Sequence, residues 1–454
     1  MGDQHEPRES ERVEQSLPRN VKHSRRERSG RLKAAYITSQ FPEPSETFAT
    51  NEVRMLSRCG VSISVHALRP PHRDANRLAR ERAVGNIRVT YNGVSPSLQG
   101  VVAALRRPVL FLRALAWIVR RNRRRLRDLV VSVLLLPRAF NILADIEDSL
   151  PDVVHMYWGH YPTIAGYLVQ QRLPRVVTSL SIVAYDLNRE YGGAIDVARN
   201  ADVIRTHARA NVGHISRFAG VAHDRINVIY NGVDIAWLNE VTQGIEKVRF
   251  RLVATGRLIP DKGMDDVLNA FATIRSTWPD ASLVIAGEGP DRQRLEALSG
   301  RLQVDHAVDF LGHVPHARVV QEMAKAEVFL LLSRYAGERL PNVVKEAMAC
   351  RCVCVTTPTP GIEELIEDGI HGFVVPMASP DAAVEAVSAN FSGRVDVHSI
   401  TSAAVEHVHR SFDLGRTAPQ YQALWTAALG ARARPYGHAR GVVVQPDGLS
   451  DSPP

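Results

Sequence analysis

Cysteine is scarce in this chain: four residues in 454, at Cys59, Cys350, Cys352 and Cys354. So few thiols suit a reducing compartment. No apolar h-region follows the charged N-terminus, so no secretory signal is expected. Glu6 stands where an N-myristoylation signal wants Ser or Thr. The apolar run 129–136 is far too short to span a bilayer. The default expectation is therefore a cytoplasmic protein. There is no short-period repeat, no evident lysine-anchored pyridoxal site, and no Asp-x-Asp metal motif at a predicted strand end. No helix-turn-helix, zinc pattern or RNP-like motif is present, so nucleic acid is not expected as a partner.

What is present is an ordinary globular composition, 45% hydrophobic and 23% charged, with a net charge of +8 and a pI near 9.5. The length suffices for two or three well-packed domains. The positive balance by itself suits an anionic ligand, a membrane surface or nucleic acid. Residues 1–30 are polar and charged and read as a disordered tail. So does the Gly-, Pro-, Arg- and Ser-rich stretch 430–454.

Between the tails, short apolar runs alternate with segments of helical length. Strands are predicted at 33–39, 61–68, 153–157, 175–180, 203–206 and 226–229, with a helix over 46–58. After the Asn231-Gly232-Val233-Asp234 turn a second series follows at 251–255, 282–286, 308–311, 328–332, 353–356 and 373–375. Such alternation is the pattern of parallel sheets covered by helices. The expected fold is α/β: two Rossmann-like, doubly wound domains facing across a cleft. The expected boundaries are 31–240 for the first domain and 241–412 for the second. A helix over 413–429 would return to the first domain.

Three constellations in the second half point to an anionic ligand. Gly256-Arg257-Leu258-Ile259-Pro260-Asp261-Lys262-Gly263 follows a strand and opens a helix. There Arg257 offers a planar fork and Lys262 a mobile point charge, both suited to a diphosphate; alternatively it is a basic loop capped by glycine. Ile285-Ala286-Gly287-Glu288-Gly289-Pro290 is a glycine turn that lets a ligand approach the backbone, or simply a tight turn. In Gly337-Glu338-Arg339-Leu340-Pro341-Asn342-Val343-Val344-Lys345-Glu346-Ala347-Met348, Pro341 is a natural first helical residue. The free amides after it form an anion site. Glu346, about one turn in, can accept from both hydroxyls of a ribose, and Glu338 from those of a sugar.

These motifs, with Gly361-Ile362-Glu363-Glu364-Leu365-Ile366-Glu367-Asp368-Gly369, resemble the family 4 retaining glycosyltransferases of GT-B fold. The E-x7-E pair Glu338 and Glu346 carries the resemblance most specifically. It implies a nucleotide-sugar as co-substrate and neither cofactor nor metal. It implies that Arg257 and Lys262 hold the donor diphosphate, that Glu338 contacts the transferred sugar, and that Glu346 grips the ribose. Phe310-Leu311-Gly312-His313-Val314 is similar to the family's base-binding stretch. The donor site implied is thus Arg257, Lys262, Gly287, Gly312, His313, Val314, Glu338, Leu340, Pro341, Asn342, Val343 and Glu346. Two departures stand out: Arg339 replaces the family's usual Gly, and Pro360-Gly361 replaces a Gly-Gly.

The first half carries an acceptor-side set. Phe41-Pro42-Glu43-Pro44-Ser45-Glu46-Thr47-Phe48 resembles the F-P-x-x-S-E-T-F loop of exopolysaccharide- and capsule-building members. Ser45, Glu46 and Thr47 either face the cleft or simply cap a helix. In His155-Met156-Tyr157-Trp158-Gly159-His160, Tyr157 and His160 suit a sugar or an acceptor hydroxyl, while one histidine can equally be a satisfied core residue. Val183 stands where many relatives have His, which leaves Asp186 as the nearest polar candidate for a catalytic role.

Residues 105–146 mix apolar side chains with ten arginines. An Arg-rich helix with apolar stripes can lie on an anionic membrane, or be a solvated basic helix packed on the first domain. Cys350, Cys352 and Cys354 alternate into a strand and are expected as buried core residues. The sequence therefore predicts a retaining, metal-independent glycosyltransferase. It would use a UDP- or GDP-linked sugar and a glycan or lipid-linked acceptor in cell-surface polysaccharide synthesis. It would be cytoplasmic or peripheral on the inner membrane face. The rivals are a non-catalytic nucleotide-binding scaffold and a GT-B epimerase.

Overall fold

The computed structural model describes residues 31–44, 46–334 and 338–433. Ser45, Gly337 and the expected tails at 1–30 and 434–454 lie outside the described residues. Seven strands build the first sheet: β1 (Lys33–Thr38), β2 (Ser62–Ala67), β3 (Arg88–Tyr91), β4 (Val153–Tyr157), β5 (Val177–Ser181), β6 (Val203–Thr206) and β7 (Ile226–Val228). All are parallel, in the order β3-β2-β1-β4-β5-β6-β7. The second sheet joins β8 (Arg251–Thr255), β9 (Ser282–Ala286), β10 (Val308–Gly312), β11 (Val328–Leu331), β12 (Val353–Thr356) and β13 (Phe373–Val374). Its order is β10-β9-β8-β11-β12-β13, again parallel.

Helices cover both faces, so the central strands are buried along their length. Alternate residues serve opposite faces. Ala35 and Ile37 of β1 pack with Phe140 and Leu143, while Ala34 and Tyr36 pack with Val53 and Trp425. In each sheet the order reverses between the first strand of the series and its later neighbour, at β1/β4 and at β8/β11. At such a switch point the loops after the two strands diverge and leave a crevice.

The chain passes between the halves twice, and the two crossings lie side by side. Val233 N–H donates to Phe412 O at 2.8 Å and Leu414 N–H to Val233 O at 2.9 Å. A Cβ on Gly232 would stand 2.6 Å from Leu414 Cα, so only glycine fits there. This moves the expected boundary. Ile235 and Leu238 are buried with Met323 and Phe329 of the second half, so the first crossing lies at 231–233 rather than near 240.

The returning helix, Leu414–Ala433, is also longer than expected and takes in 430–433 of the anticipated tail. It docks on the first sheet through Tyr421 Oη to Glu52 Oε2 at 2.5 Å and Trp425 Nε1 to Ser179 Oγ at 3.0 Å. Arg432 donates to Asp202 at 2.7 Å. The basic region 105–146 is not one helix but parts of three: Val94–Leu105, Pro108–Asn122 and Leu126–Ser149. The last has 24 residues, enough to cross a bilayer by length although the apolar run within it is short. One of its faces, with Leu136, Phe140, Leu143 and Ile146, is core of the first sheet.

Candidate functional site

The second-half site grows from the β8/β11 switch point. After β8 the chain turns through Gly256, whose φ is +153°, and a short 3-10 turn, Pro260–Lys262. Gly263 (φ +63°) ends it, where a Cβ would meet Leu332 O at 2.0 Å. This tight return lays the Lys262 stem against Gly256. Lys262 Nζ then meets Glu338 Oε1 at 2.5 Å. Arg334 N–H donates to Asp261 O at 2.8 Å, tying the loop after β11 to the loop after β8. Arg257 stands exposed in the same loop, with no carboxylate partner among the described residues.

The helix Asn342–Ala349 opens beside this pair. Pro341 is its cap and not its first helical residue, one position earlier than expected. Its carbonyl accepts from Val344 N–H at 3.1 Å, which leaves the first-turn amides of Asn342 and Val343 without intrahelical partners. Leu340, buried just before, holds φ +46°, a strained conformation for a branched side chain that costs of order 1–3 kcal/mol. Glu346 is buried and its Oε1 lies 3.0 Å from His316 Nε2. His316 stacks on Trp237 at 4.8 Å. Burial opposes its charge, but the Glu346 carboxylate prevails and holds its pKa above the usual 6.5. Next to Glu346, burial pushes the Lys345 ammonium down to about 7. Its Nζ donates to Asn231 O at 2.8 Å and Asn342 Oδ1 at 3.1 Å, linking this helix to the first crossing.

At the end of β10, Gly312 has φ +70°, His313 is exposed and Val314 half-buried. Gly287 lies in a close approach of two loops. A Cβ there would meet Gly256 O at 1.9 Å, and one on Gly289 would meet Leu258 O at 2.2 Å. These glycines let two loops of the protein pack backbone to backbone.

The first-half set forms at the β1/β4 switch point. Ser39 follows β1, His160 follows β4, and Asp186 lies in the first turn of the helix Ala184–Arg189 beyond β5. They make a continuous chain: Ser39 Oγ to His160 Nε2 at 3.1 Å, and His160 Nδ1 to Asp186 Oδ1 at 2.8 Å. The other Asp186 oxygen accepts from Val183 N–H at 3.0 Å. Glu46 borders this chain. Burial, then the carboxylates of Glu43 and Asp186, raise its pKa to about 8, so it holds a proton at neutral pH. Thr47 is half-buried at the start of its helix, Thr47–Arg58. Tyr157, expected on the acceptor side, is instead core: fully buried and stacked between Tyr36 at 5.4 Å and Phe48 at 5.9 Å. His155 is the core histidine, bonded to Ser179 Oγ at 2.9 Å. Burial beside Arg205 drives its pKa to about 3.

Sequence reasoning missed Ser39, His316 and Lys345. Ser39 and His316 lie far in sequence from their partners, and a lone Ser or His carries no local signature. It also missed what Glu364 does: its carboxylate accepts from Arg209 N–H at 2.8 Å, Ala210 N–H at 2.9 Å and Tyr230 Oη at 3.0 Å, strapping the two halves together.

Residues 238–404 match the family described as Glycosyl transferases group 1. Among curated relatives, alpha-D-kanosaminyltransferase of Streptomyces kanamyceticus is 32% identical over 178 residues. That match covers 39% of this chain and 45% of the relative. N-acetyl-alpha-D-glucosaminyl L-malate synthase of Bacillus anthracis is 24% identical over 301 residues, 61% of this chain and 75% of the relative. The chain thus matches under half the length of the first of these. Anabaena Alr3699/HepE, solved with UDP, superposes with a TM-score of 0.64 at 16% identity, over 87% of this chain and 100% of that one. That likeness concerns the fold. The chain thus has the GT-B architecture of two parallel-sheet domains joined by paired crossings, and its match to the group 1 glycosyl transferases lies in the half that carries Lys262, Glu338 and Glu346.

Proposed function

We propose that this protein moves a sugar from a UDP- or GDP-linked donor onto a glycan or lipid-linked acceptor, with retention of anomeric configuration, in cell-surface polysaccharide synthesis. The observation that carries the reading is the Lys262–Glu338 pair, 2.5 Å apart at the β8/β11 switch point, beside the open amides of Asn342 and Val343. A nucleotide diphosphate there would draw Lys262 and Arg257 to its oxygens. Glu338 would turn to the sugar hydroxyls and Glu346 to the ribose. His313 and Val314 border the space for the base. Cations and helix amides together stabilise the charge that grows on the departing diphosphate, the work a divalent ion does elsewhere. The leaving phosphate then takes the acceptor proton as the hydroxyl attacks from the same face. On the acceptor side, Asp186 fixes His160, and Ser39 and protonated Glu46 offer hydrogen bonds to hydroxyls.

A thermal-shift screen against UDP, GDP and their sugar conjugates tests the donor half, since a ligand that binds only the folded state raises its melting temperature. Lys262→Ala should abolish most of the shift and Glu346→Ala should weaken it; unchanged shifts in both would sink the assignment. A second reading, a nucleotide-binding scaffold without turnover, draws on Val183, a buried apolar side chain beside Asp186. It would be favoured by a clear shift with no donor consumed in the presence of native acceptors.

A further inference from the structure

Eleven of the fifteen large hydrophobic residues found exposed among the described residues sit on just three consecutive helices, Val94–Leu105, Pro108–Asn122 and Leu126–Ser149. Their spacing is helical in each. Leu98, Val101, Val102 and Leu105 fall at i, i+3, i+4 and i+7 on the first, with Leu105 72% exposed. Val109, Leu112 and Val119 share a face of the second, and Leu126, Val130, Val133 and Leu134 a face of the third. The opposite faces of the same helices are core: Ala103 and Ala104 on the first, Trp117 and Ile118 on the second, Phe140 and Leu143 on the third. Each helix is therefore apolar on two sides, one facing the protein and one facing out. A solvated basic helix packed on a domain has no reason to keep the outer stripe.

The charge around these stripes is one-sided. Residues 94–137 hold nine arginines against a single acid, Asp128. Asp128 is buried and taken by Arg189 at 2.5 Å, so it offers nothing outward. Arg107, Arg121 and Arg125 are held by Glu147, Asp196 and Glu190. Arg106, Arg113, Arg123, Arg124 and Arg127 are exposed and salt-bridge no carboxylate among the described residues. This segment alone carries as much net positive charge as the whole chain.

We propose that the outer faces of these three helices form a docking surface for an anionic phospholipid bilayer, with the helices lying in the interface rather than crossing it. The apolar stripes enter the acyl boundary while the free guanidiniums meet headgroup phosphates, whose charge complements theirs. Long arginine stems extend outward from an apolar face to do this. The 24-residue helix does not span, because leaving the sheet would strip Leu136, Phe140, Leu143 and Ile146 from the core. A second copy of this chain is the wrong occupant, since it would bring the same positive surface against itself. The surface belongs to the half expected to hold the acceptor, which it would hold at the membrane.

The test is co-sedimentation of the full chain with large vesicles of phosphatidylcholine alone, or of phosphatidylcholine mixed with phosphatidylglycerol, over a salt series. Binding is expected with the anionic vesicles only, and should fall as salt rises. Combined Arg123→Ser, Arg124→Ser and Arg127→Ser should weaken partitioning by roughly tenfold or more. Combined Leu105→Ser, Leu112→Ser and Leu126→Ser should weaken it at every salt concentration. These positions are exposed, and unchanged circular dichroism will confirm that the variants fold. Equal binding to both vesicle types, no binding to either, or a dimer that the leucine variant dissolves would each overturn the proposal.

Discussion

Glu46→Gln is a direct probe of the polar cluster at the β1/β4 switch point. Burial, then the carboxylates of Glu43 and Asp186, raise the Glu46 pKa from 4.5 to about 8. Below pH 4.5 both folded and unfolded chains hold this proton, and the contribution of Glu46 to stability is fully present. As pH rises toward 8 the unfolded chain ionises freely while the folded one must keep the proton, so stability falls by about 1.36 kcal/mol per pH unit. Between pH 5 and pH 7 the wild-type protein should therefore lose about 2 to 3 kcal/mol relative to Glu46→Gln, which has no proton to hold. Urea unfolding followed by tryptophan fluorescence across that range reads the difference; the other carboxylates largely cancel in it. The reasoning fails if the two stability curves run parallel, within about 0.5 kcal/mol, because the folded-state carboxyl would then titrate like a free one.

Gly232→Ala should lower stability by about 1–3 kcal/mol, since its methyl would press on the second crossing. A melting temperature equal to wild type would mean that the crossings separate easily. Tyr421→Phe removes a buried hydroxyl that donates to Glu52 at 2.5 Å and should cost about 1–3 kcal/mol in chemical unfolding; a neutral outcome would show that the returning helix docks by apolar packing alone. Donor nucleotide should bind more tightly at pH 8 than at pH 6, because a charged His316 competes with the ribose for Glu346. Calorimetry on His316→Phe, which keeps an aromatic ring against Trp237, should show that dependence flattened. Equal wild-type affinity at both pH values would separate Glu346 from the ribose.

Much of the architecture is set by local pattern. Thirteen parallel strands need apolar runs bounded by turns, and nearly all of those runs are visible in the chain. β3, Arg88–Tyr91, was not: it is an edge strand with no fully buried residue, so burial left no pattern in it. The loops around Lys262 and Glu338 were legible too, because the conformations they need select glycine and proline at fixed positions. Gly287 was legible as a glycine but not in its purpose, since the atom it makes room for, Gly256 O, comes from another loop. Tyr157 and His160 stand three residues apart with similar polar character, yet one is sealed in the core and the other reaches Asp186.

What the sequence determined alone is therefore whatever depends on neighbours along the chain: strand and helix identity, the glycine turns, the E-x7-E spacing and the one-sided charge of 94–137. The tertiary structure decided which distant groups meet. Ser39 with His160, Glu346 with His316, Glu364 with the amides of Arg209 and Ala210, and Gly232 with Leu414 are each separated by at least 30 residues. Side-chain periodicity fixes the face a residue occupies, but only the packing of whole elements fixes what stands opposite it.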